Sequence, residues 1–295
     1  MNIAEHIWGA SLLGCKKSSF ADLESFFESI NTQDENTWPL NTTESGYQPK
    51  YSRAQLVYDK FGFGKILALD AVYSQVAKSY YVSEDICLDD DRLEMNLLSI
   101  YRKDKEDSKK DGFVRCFIEK HYRFLRDFAK EENVAPENAV MTIEAHSRGK
   151  NNAEARGGYV WATYGFDFLS VHELNQARLR FKDFAAQNGV HISLKDLARF
   201  KYPCHFAAFR CVKDGKIKNL GRAFLLQDTW HGKISAAMSP NSELYRYAKA
   251  YHEKNKAVAE KELSKSFLRM MNRYMKQSKI KDIFVSVFRA KKQRC

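Results

Sequence analysis

One stretch, residues 92–168, constrains the fold more than any other. In it RLEMNLLSIYRK, KKDGFVRCFIEKHYRFLRDFAKEE, AVMTIEAH and GGYVWATYGFDF follow one another. The first segment reads as a strand. The second, from Gly112 to Glu132, sets Phe113, Phe117, Tyr122, Phe124, Leu125 and Phe128 on one face with Lys and Arg between them, the pattern of an amphipathic helix. Pro136 ends it, and AVMTIEA is a short apolar run suited to a buried parallel strand. A short helix closing at Gly165-Phe166 completes the stretch. Ahead of it, KILALDAVYSQ, VAKSYYVS and LEMNLLSIYRK are rich in β-branched and aromatic residues and predict an antiparallel meander. Strands, then a helix, then a parallel strand define a mixed α/β fold. A helix that begins at Gly112 directly after a strand can receive a phosphate-bearing cofactor on its unpaired N–H groups.

Three segments organise the chain: 1–64, 65–240 and 241–295. Phe20, Leu23, Phe26, Phe27 and Ile30 recur at helical spacing, and the turn-rich stretch 31–50 reads as a solvated connector. Tyr51 to Tyr58 reads as a short helix running into Phe61-Gly62-Phe63-Gly64, a turn that lacks the rest of any phosphate-loop motif. SEDICLDDD, with five acids, reads as an exposed turn, and its carboxylates lack the periodicity of a calcium loop. Residues 170–200 are helical, with Asn188-Gly189 as a C-terminal cap and Ser193 capping the short helix LKDLARF. HFAAFRCV and RAFLLQDTW read as strands, separated by the strong turn signal Asp214-Gly215. The chain is helical again to about Gln277.

The net charge of +11 is unevenly placed. Residues 241–295 hold fifteen Lys/Arg against five Asp/Glu, whereas the preceding 240 residues are nearly balanced. The six cysteines (15, 87, 116, 204, 211 and 295) form no CxxC pair and no zinc-ligand spacing, so reduced thiols and a cytoplasmic location are expected, with no metal. No run of eighteen apolar residues occurs, and the first residues lack the basic region of a signal peptide.

The order of meander, Gly-led helix, parallel strand and short helix resembles the GNAT acetyltransferase family over roughly residues 65–235. That resemblance implies a mixed sheet flanked by helices, with acetyl-CoA or another acyl-CoA lying between two splayed parallel strands. The family signature Gln/Arg-x-x-Gly-x-Gly/Ala is matched by Lys109-Lys110-Asp111-Gly112-Phe113-Val114, with Lys in the first slot and Val in the last. Lys109, Lys110, Gly112, Phe113 and Val114 are therefore the implied pyrophosphate-binding residues. At the short helix Asn152, Trp161, Gly165 and Phe166 are recognisable, with Trp161 standing where the family places a tyrosine acid. GGYVWATYGFDF is also similar to an NGYxxWxxxGFD pattern in GNAT-like modules of phages and mobile elements.

The expected chemistry is acyl transfer to an amine, which needs a base for the amine proton and an acid for the leaving thiolate. Glu144 and His146 lie at the end of the buried strand, where open α/β sheets place ligands, and are the candidate bases. Glu94 is a further base candidate. Tyr159 and Tyr164 flank the acid position. Ser147-Arg148-Gly149-Lys150 makes a basic loop for phosphate or an acidic substrate, or a solvated turn. In the tail, Leu244, Tyr247, Ala248 and Tyr251, and then Phe267, Met270, Met271, Tyr274 and Met275, form apolar faces expected to pack on a core. Arg246, Lys249, Lys261, Lys265, Arg269, Arg273 and Lys276 lie between them and suit nucleic acid or another polyanion. A membrane surface is a weaker expectation. The alternative to an enzyme is a non-catalytic nucleic-acid-binding protein on a degenerate fold of the same kind, or a membrane-surface or effector-type interaction protein.

Overall fold

The structure, a computed structural model, describes residues 48–58, 65–75, 78–89, 92–102, 113–131, 133–145 and 157–276. The helices expected over 1–30, the Phe61-Gly62-Phe63-Gly64 turn, Lys109, Lys110, Gly112, His146, the loop Ser147 to Lys150, Asn152 and the terminus beyond Lys276 lie outside them. The chain divides into two units. The first is Met1–Glu144 with Lys233–Ser239, and the second is Ala145–Gly232 with Pro240–Cys295.

The first unit is a mixed sheet covered by a helix. Strands β1 (Gln48–Tyr58), β2 (Lys65–Gln75), β3 (Lys78–Asp89) and β4 (Arg92–Arg102) form the antiparallel meander, and β5 (Ala139–Ala145) pairs with β4 in parallel. Helix α1 (Phe113–Glu131) provides the crossover that a parallel pair requires. Leu93, Met95 and Leu97 alternate inward along β4, and Ala139, Met141, Ile143 and Ala145 are buried on β5. Phe113, Phe117 and Leu125 on α1 are fully buried, and Phe113 stacks on Tyr80 of β3 at 4.3 Å between ring centroids. The segment after β5's sheet neighbour, β9 (Trp230–Ser235), is tied in by Tyr122, whose hydroxyl donates to the Met238 carbonyl, and by Ala236 N–H donating to Ala139 O at 2.9 Å.

Two readings change here. Residues 51–58 are strand, not helix, because a long neighbour in β2 supplies the ladder from Gln48 to Tyr58. The acidic SEDICLDDD is largely β3, not an exposed turn: Val82, Glu84 and Ile86 face inward. Glu84 is 3% exposed and is tolerated there because His121 on α1 brings its Nε2 to 3.0 Å from Glu84 Oε1. His121 Nδ1 donates to Phe117 O at 2.8 Å, so the edge facing Glu84 is the other ring nitrogen.

The second unit is mostly helical. Helix α2 (Gly157–Thr163) ends in Gly165, whose φ of +90° and close neighbour, Ala248 Cβ at 3.1 Å from where a side chain would begin, both require glycine. After β6 (Asp167–Phe168) comes α3 (Val171–Gln187), capped at one end by Ser170 and closed at the other by Asn188 and Gly189. Then follow α4 (Leu194–Leu197) capped by Ser193, α5 (Pro203–Ala208), the hairpin β7 (Cys211–Lys213) and β8 (Lys216–Lys218), and α6 (Leu220–Leu225). Asp214 and Gly215 both take positive φ, the geometry of a two-residue hairpin turn. Leu169 N–H donates to His231 O at 2.9 Å, holding β6 against the first residues of β9. Helices α7 (Glu243–Glu253) and α8 (Lys256–Glu260) and a helix α9 over 265–276 complete the unit. Its core is aromatic: Phe181 meets Phe200, Phe206, Phe209 and Phe224 at 5.1–5.5 Å, and the tail adds Leu244, Tyr247, Phe267, Met270, Met271 and Tyr274.

HFAAFRCV and RAFLLQDTW thus begin as helix where strands were expected, and only Cys211, Val212 and Trp230 at their ends are strand. All six residues of α5 are buried, so its sequence shows neither a period of two nor one of 3.6. Pro203 opens α5 and Asn219 caps α6, its side chain accepting from Arg222 N–H at 3.2 Å. The two helices meet backbone to backbone at Gly221, where an added Cβ would lie 1.6 Å from Phe206 O. Gly221→Ala must push the helices apart, and its expected cost is about 3 kcal/mol. Denaturant unfolding of the variant measures it, and an unchanged midpoint would show that α5 and α6 do not pack this closely.

Candidate functional site

Two places carry chemistry, one in each unit. In the first, the parallel pairing of β4 with β5 runs from Leu93 opposite Ala139 to Leu97 opposite Ile143. Among the described residues the two strands pair no further, although β4 continues to Arg102 and β5 to Ala145. On its other side β4 slips register against β3: Leu97 faces Glu84 and Ser99 faces Ser83, which makes Leu98 a bulge. Leu98 is 49% exposed. Among the described residues, no strand pairs with β4 past Leu97 on the side of β5.

The sequence-predicted residues fall around this opening as follows. Phe113 is the first residue of α1 and its ring is core, so it offers only backbone, while Val114 is half-buried. The first turn of α1 has no acid to compete for its N–H groups. Glu144 lies exposed near the end of β5. Glu94 is pinned: it pairs with Arg92 and accepts from the Thr142 hydroxyl at 3.3 Å, a structural arrangement.

Tyr159 and Tyr164 belong to the second unit. Tyr164 stacks on His252 at 3.9 Å, and His252 Nε2 lies 3.0 Å from Thr163 O. Trp161, in the slot of the expected tyrosine, is 9% exposed and packs edge-on against Phe166 at 5.4 Å, so it is a core residue. The Tyr159 hydroxyl is 3.0 Å from that of Tyr251, and the Arg222 guanidinium lies over its ring at 5.1 Å. Burial first, and the Tyr251 hydrogen bond second, push the Tyr159 phenol well above the usual tyrosine range. It holds its proton and serves as a donor.

Around Tyr159 the second unit gathers groups that sequence reasoning passed over. Arg210 pairs with Glu260 through Nη2 and Oε2, leaving Arg210 Nε and Glu260 Oε1 buried without a hydrogen-bond partner. The Tyr247 hydroxyl is also buried and unpartnered. Lys256 is half-buried, and its ammonium has no ion pair or hydrogen bond among the described residues. Burial lowers its pKa, repulsion from Arg210 and Arg222 lowers it further, and Glu260 opposes them. These residues come from α2, the end of α5, α6, α7 and α8, about a hundred positions apart, so no local spacing in the sequence announces them.

In another polar group of this unit, the His205 ring, both nitrogens are bonded. His205 Nδ1 accepts from Lys201 N–H at 2.9 Å and Tyr202 N–H at 3.2 Å, so the ring proton is on Nε2, which donates to Glu243 Oε1 at 2.6 Å. Ser264 N–H donates to the same oxygen at 2.6 Å, and Phe267 stacks on the imidazole at 4.4 Å. Cys204 beside it is no nucleophile, because burial drives its thiol well above the ordinary value.

The seven cationic tail residues are all exposed, on α7, α9 and the turn between α8 and α9. Arg246 pairs with Glu262 at 3.0 Å and Arg273 with Asp196 at 2.5 Å. Among the described residues Lys249, Lys261, Lys265, Arg269 and Lys276 form no ion pair. No group of three or more His, Cys, Asp or Glu that could hold a metal occurs among the described residues, and none of their helices is long and apolar enough to cross a membrane. No family model, curated protein or solved structure matches the chain.

The His205–Glu243 pair makes the second unit acid-sensitive. Burial holds His205 below its ordinary value of 6.5 despite Glu243. The unfolded chain therefore takes up the proton first, and stability is lost as pH falls below about 6.5. Burial alone would raise Glu243, but His205 and the Ser264 N–H outweigh it and hold the carboxyl below its ordinary 4.5. Its contribution persists above that value and disappears as pH falls through the lowered one. Both act in the same direction. His205→Asn should cost about 1–3 kcal/mol at pH 7 and flatten the loss of stability between pH 6.5 and 5. Melting curves of both proteins across that range check it.

Proposed function

We propose that the protein is a GNAT-like N-acyltransferase that binds acyl-CoA at the opening between β4 and β5. The observation that carries the reading is the end of β4–β5 pairing at Leu97 and Ile143, beside the Leu98 bulge. An extended, amide-bearing arm fits there, because the β4 peptides that no described strand pairs on that side would offer it donors and acceptors in a row. The meander, the crossover helix and the parallel strand that follows it also support the reading. Acyl-CoA supplies the acyl group as a thioester. The N–H groups at the start of α1, with Lys109, Lys110, Gly112, Phe113 and Val114, hold the pyrophosphate, and the two lysines add charge. Glu144 or His146 takes the proton of the acceptor amine. Tyr159 and Tyr164 lie in the second unit, and Tyr159 keeps its proton too tightly to serve as an acid.

Val114 stands where a smaller residue would leave the pyrophosphate more room. Calorimetric titration with acetyl-CoA should give saturable binding, and Val114→Ala should tighten it by up to about tenfold, or 1.4 kcal/mol. Absence of saturable heat at millimolar acetyl-CoA in both proteins would sink the reading.

A second reading, contact with nucleic acid, is favoured by the tail: its apolar faces are buried while its seven cations stay exposed. The same burial counts against a membrane surface, since Leu244, Tyr247, Phe267 and Met270 are committed to the core. Deleting the tail would remove that core, so charge neutralisation is the cleaner test. The triple change Lys265→Gln, Arg269→Gln, Lys276→Gln should weaken duplex DNA binding and reduce the slope of log affinity against log salt by up to about 3. An unchanged slope in a mobility-shift series would remove these residues from any contact.

A further inference from the structure

The polar cluster around Tyr159 in the second unit is built for a ligand. Most buried polar atoms have partners, and a natural structure leaves few orphans. Here three sit together: the Tyr247 hydroxyl, Arg210 Nε and Glu260 Oε1. Tyr247 is fully buried and electrostatically coupled to Tyr159, Tyr251 and Glu260. Arg210 pairs with Glu260, Lys256 stands one helical turn before Glu260 on α8, and the Tyr247 ring lies 5.9 Å from that of Tyr251, whose hydroxyl is 3.0 Å from the Tyr159 hydroxyl.

The charge balance there is also unfinished. Arg210, Arg222 and Lys256 are three cations, and Glu260 is the single carboxylate that acts on Lys256. Arg210 takes that carboxylate's Oε2, and neither Arg222, which is exposed, nor the half-buried Lys256 has an ion pair among the described residues. Holding a half-buried ammonium against two guanidinium groups is unfavourable unless something anionic joins them. The donors therefore outnumber the acceptors, and one carboxylate oxygen, Glu260 Oε1, stays open.

We propose that this cluster binds a hydroxyl-bearing oxyanion of the phosphate class. The anion's oxygens accept from Lys256, Arg222, Arg210 Nε and the Tyr247 hydroxyl, and its own P–O–H donates to Glu260 Oε1. Every orphan is then satisfied, and the excess positive charge is neutralised. Glu260 also sets selectivity: a phosphate near neutral pH carries a proton to donate, whereas sulfate does not and meets the carboxylate as a like charge. The inference stands apart from acyl transfer, since all its residues lie in the second unit and none is in the proposed acyl-CoA opening.

The test is calorimetric titration of the full chain with inorganic phosphate, sulfate at matched ionic strength, and methyl phosphate. Saturable binding of phosphate at one site, at least tenfold tighter than sulfate, is expected. Lys256→Met and Arg222→Met should each weaken phosphate at least tenfold. Folding is controlled by melting without ligand: Lys256→Met removes a repelled cation and should melt no lower than the wild type. Phosphate should then raise the wild-type midpoint and leave that of Lys256→Met in place. If methyl phosphate binds as well as inorganic phosphate, the natural ligand carries a terminal phosphate ester; if only inorganic phosphate binds, it is the free anion. Absence of phosphate binding, equal binding of sulfate, or undiminished binding by both folded variants overturns the proposal.

Discussion

The parallel pairing of β4 with β5 is the constraint on which the first unit depends. Two parallel neighbours cannot be joined by a tight turn, so the chain must cross the sheet and return. Helix α1 has nineteen residues and so runs about 28 Å, enough to travel back past the seven residues and roughly 23 Å of β5. That passage commits one face of α1 to the sheet and leads Phe113, Phe117 and Leu125 into full burial. It also decides where the pair must part, because past Leu97 the bulged β4 no longer follows β5. The helix start and the strand opening are thus products of a single topological step, which is why a cofactor reading attaches to this place rather than to another.

Much of that arrangement is legible in residue order, because periodicity is strong where one face is buried. The helix over residues 113–131, the strand AVMTIEA, the Asp214-Gly215 hairpin and the caps at Ser193 and Asn188-Gly189 all carry a local signal that matches their role. The signal fails where burial is complete or where a distant partner rewrites the meaning of a residue. Helix α5 is buried all round, so its apolar run has no readable period. The acids of β3 suggest solvent, yet Glu84 turns inward because His121, thirty-seven positions later, meets it. Leu98 illustrates the same limit. Nothing in LEMNLLSIYRK marks a bulge, since a bulge is a property of two strands in register and not of one.

Candidate residues divide along the same line. Trp161 fills a slot that a motif would give to tyrosine, and the structure explains it by packing: the indole belongs to the core against Phe166. Tyr159, one of the two flanking phenols, is drawn into hydrogen bonding with Tyr251 and under Arg222. Charge counting in the tail was sound as arithmetic, but it treats all cations alike. Arg246 and Arg273 are matched by Glu262 and Asp196, and the exposed pair of Arg246 with Glu262 contributes little to stability.

Cations that matter most to a ligand are the ones that folding has made uncomfortable. In the second unit two buried polar systems show the difference. Both ring nitrogens of His205 are bonded, and Glu243 Oε1 accepts from His205 and from the Ser264 amide. Tyr247, Glu260, Arg210, Arg222 and Lys256 are left with orphaned atoms and surplus charge. Each orphan costs about 1–3 kcal/mol, and a chain that could satisfy His205 so completely has the means to satisfy these as well. A folded protein keeps such a cost only where something outside the chain repays it. The unsatisfied cluster therefore points to a bound partner more strongly than the larger but solvated charge of the tail.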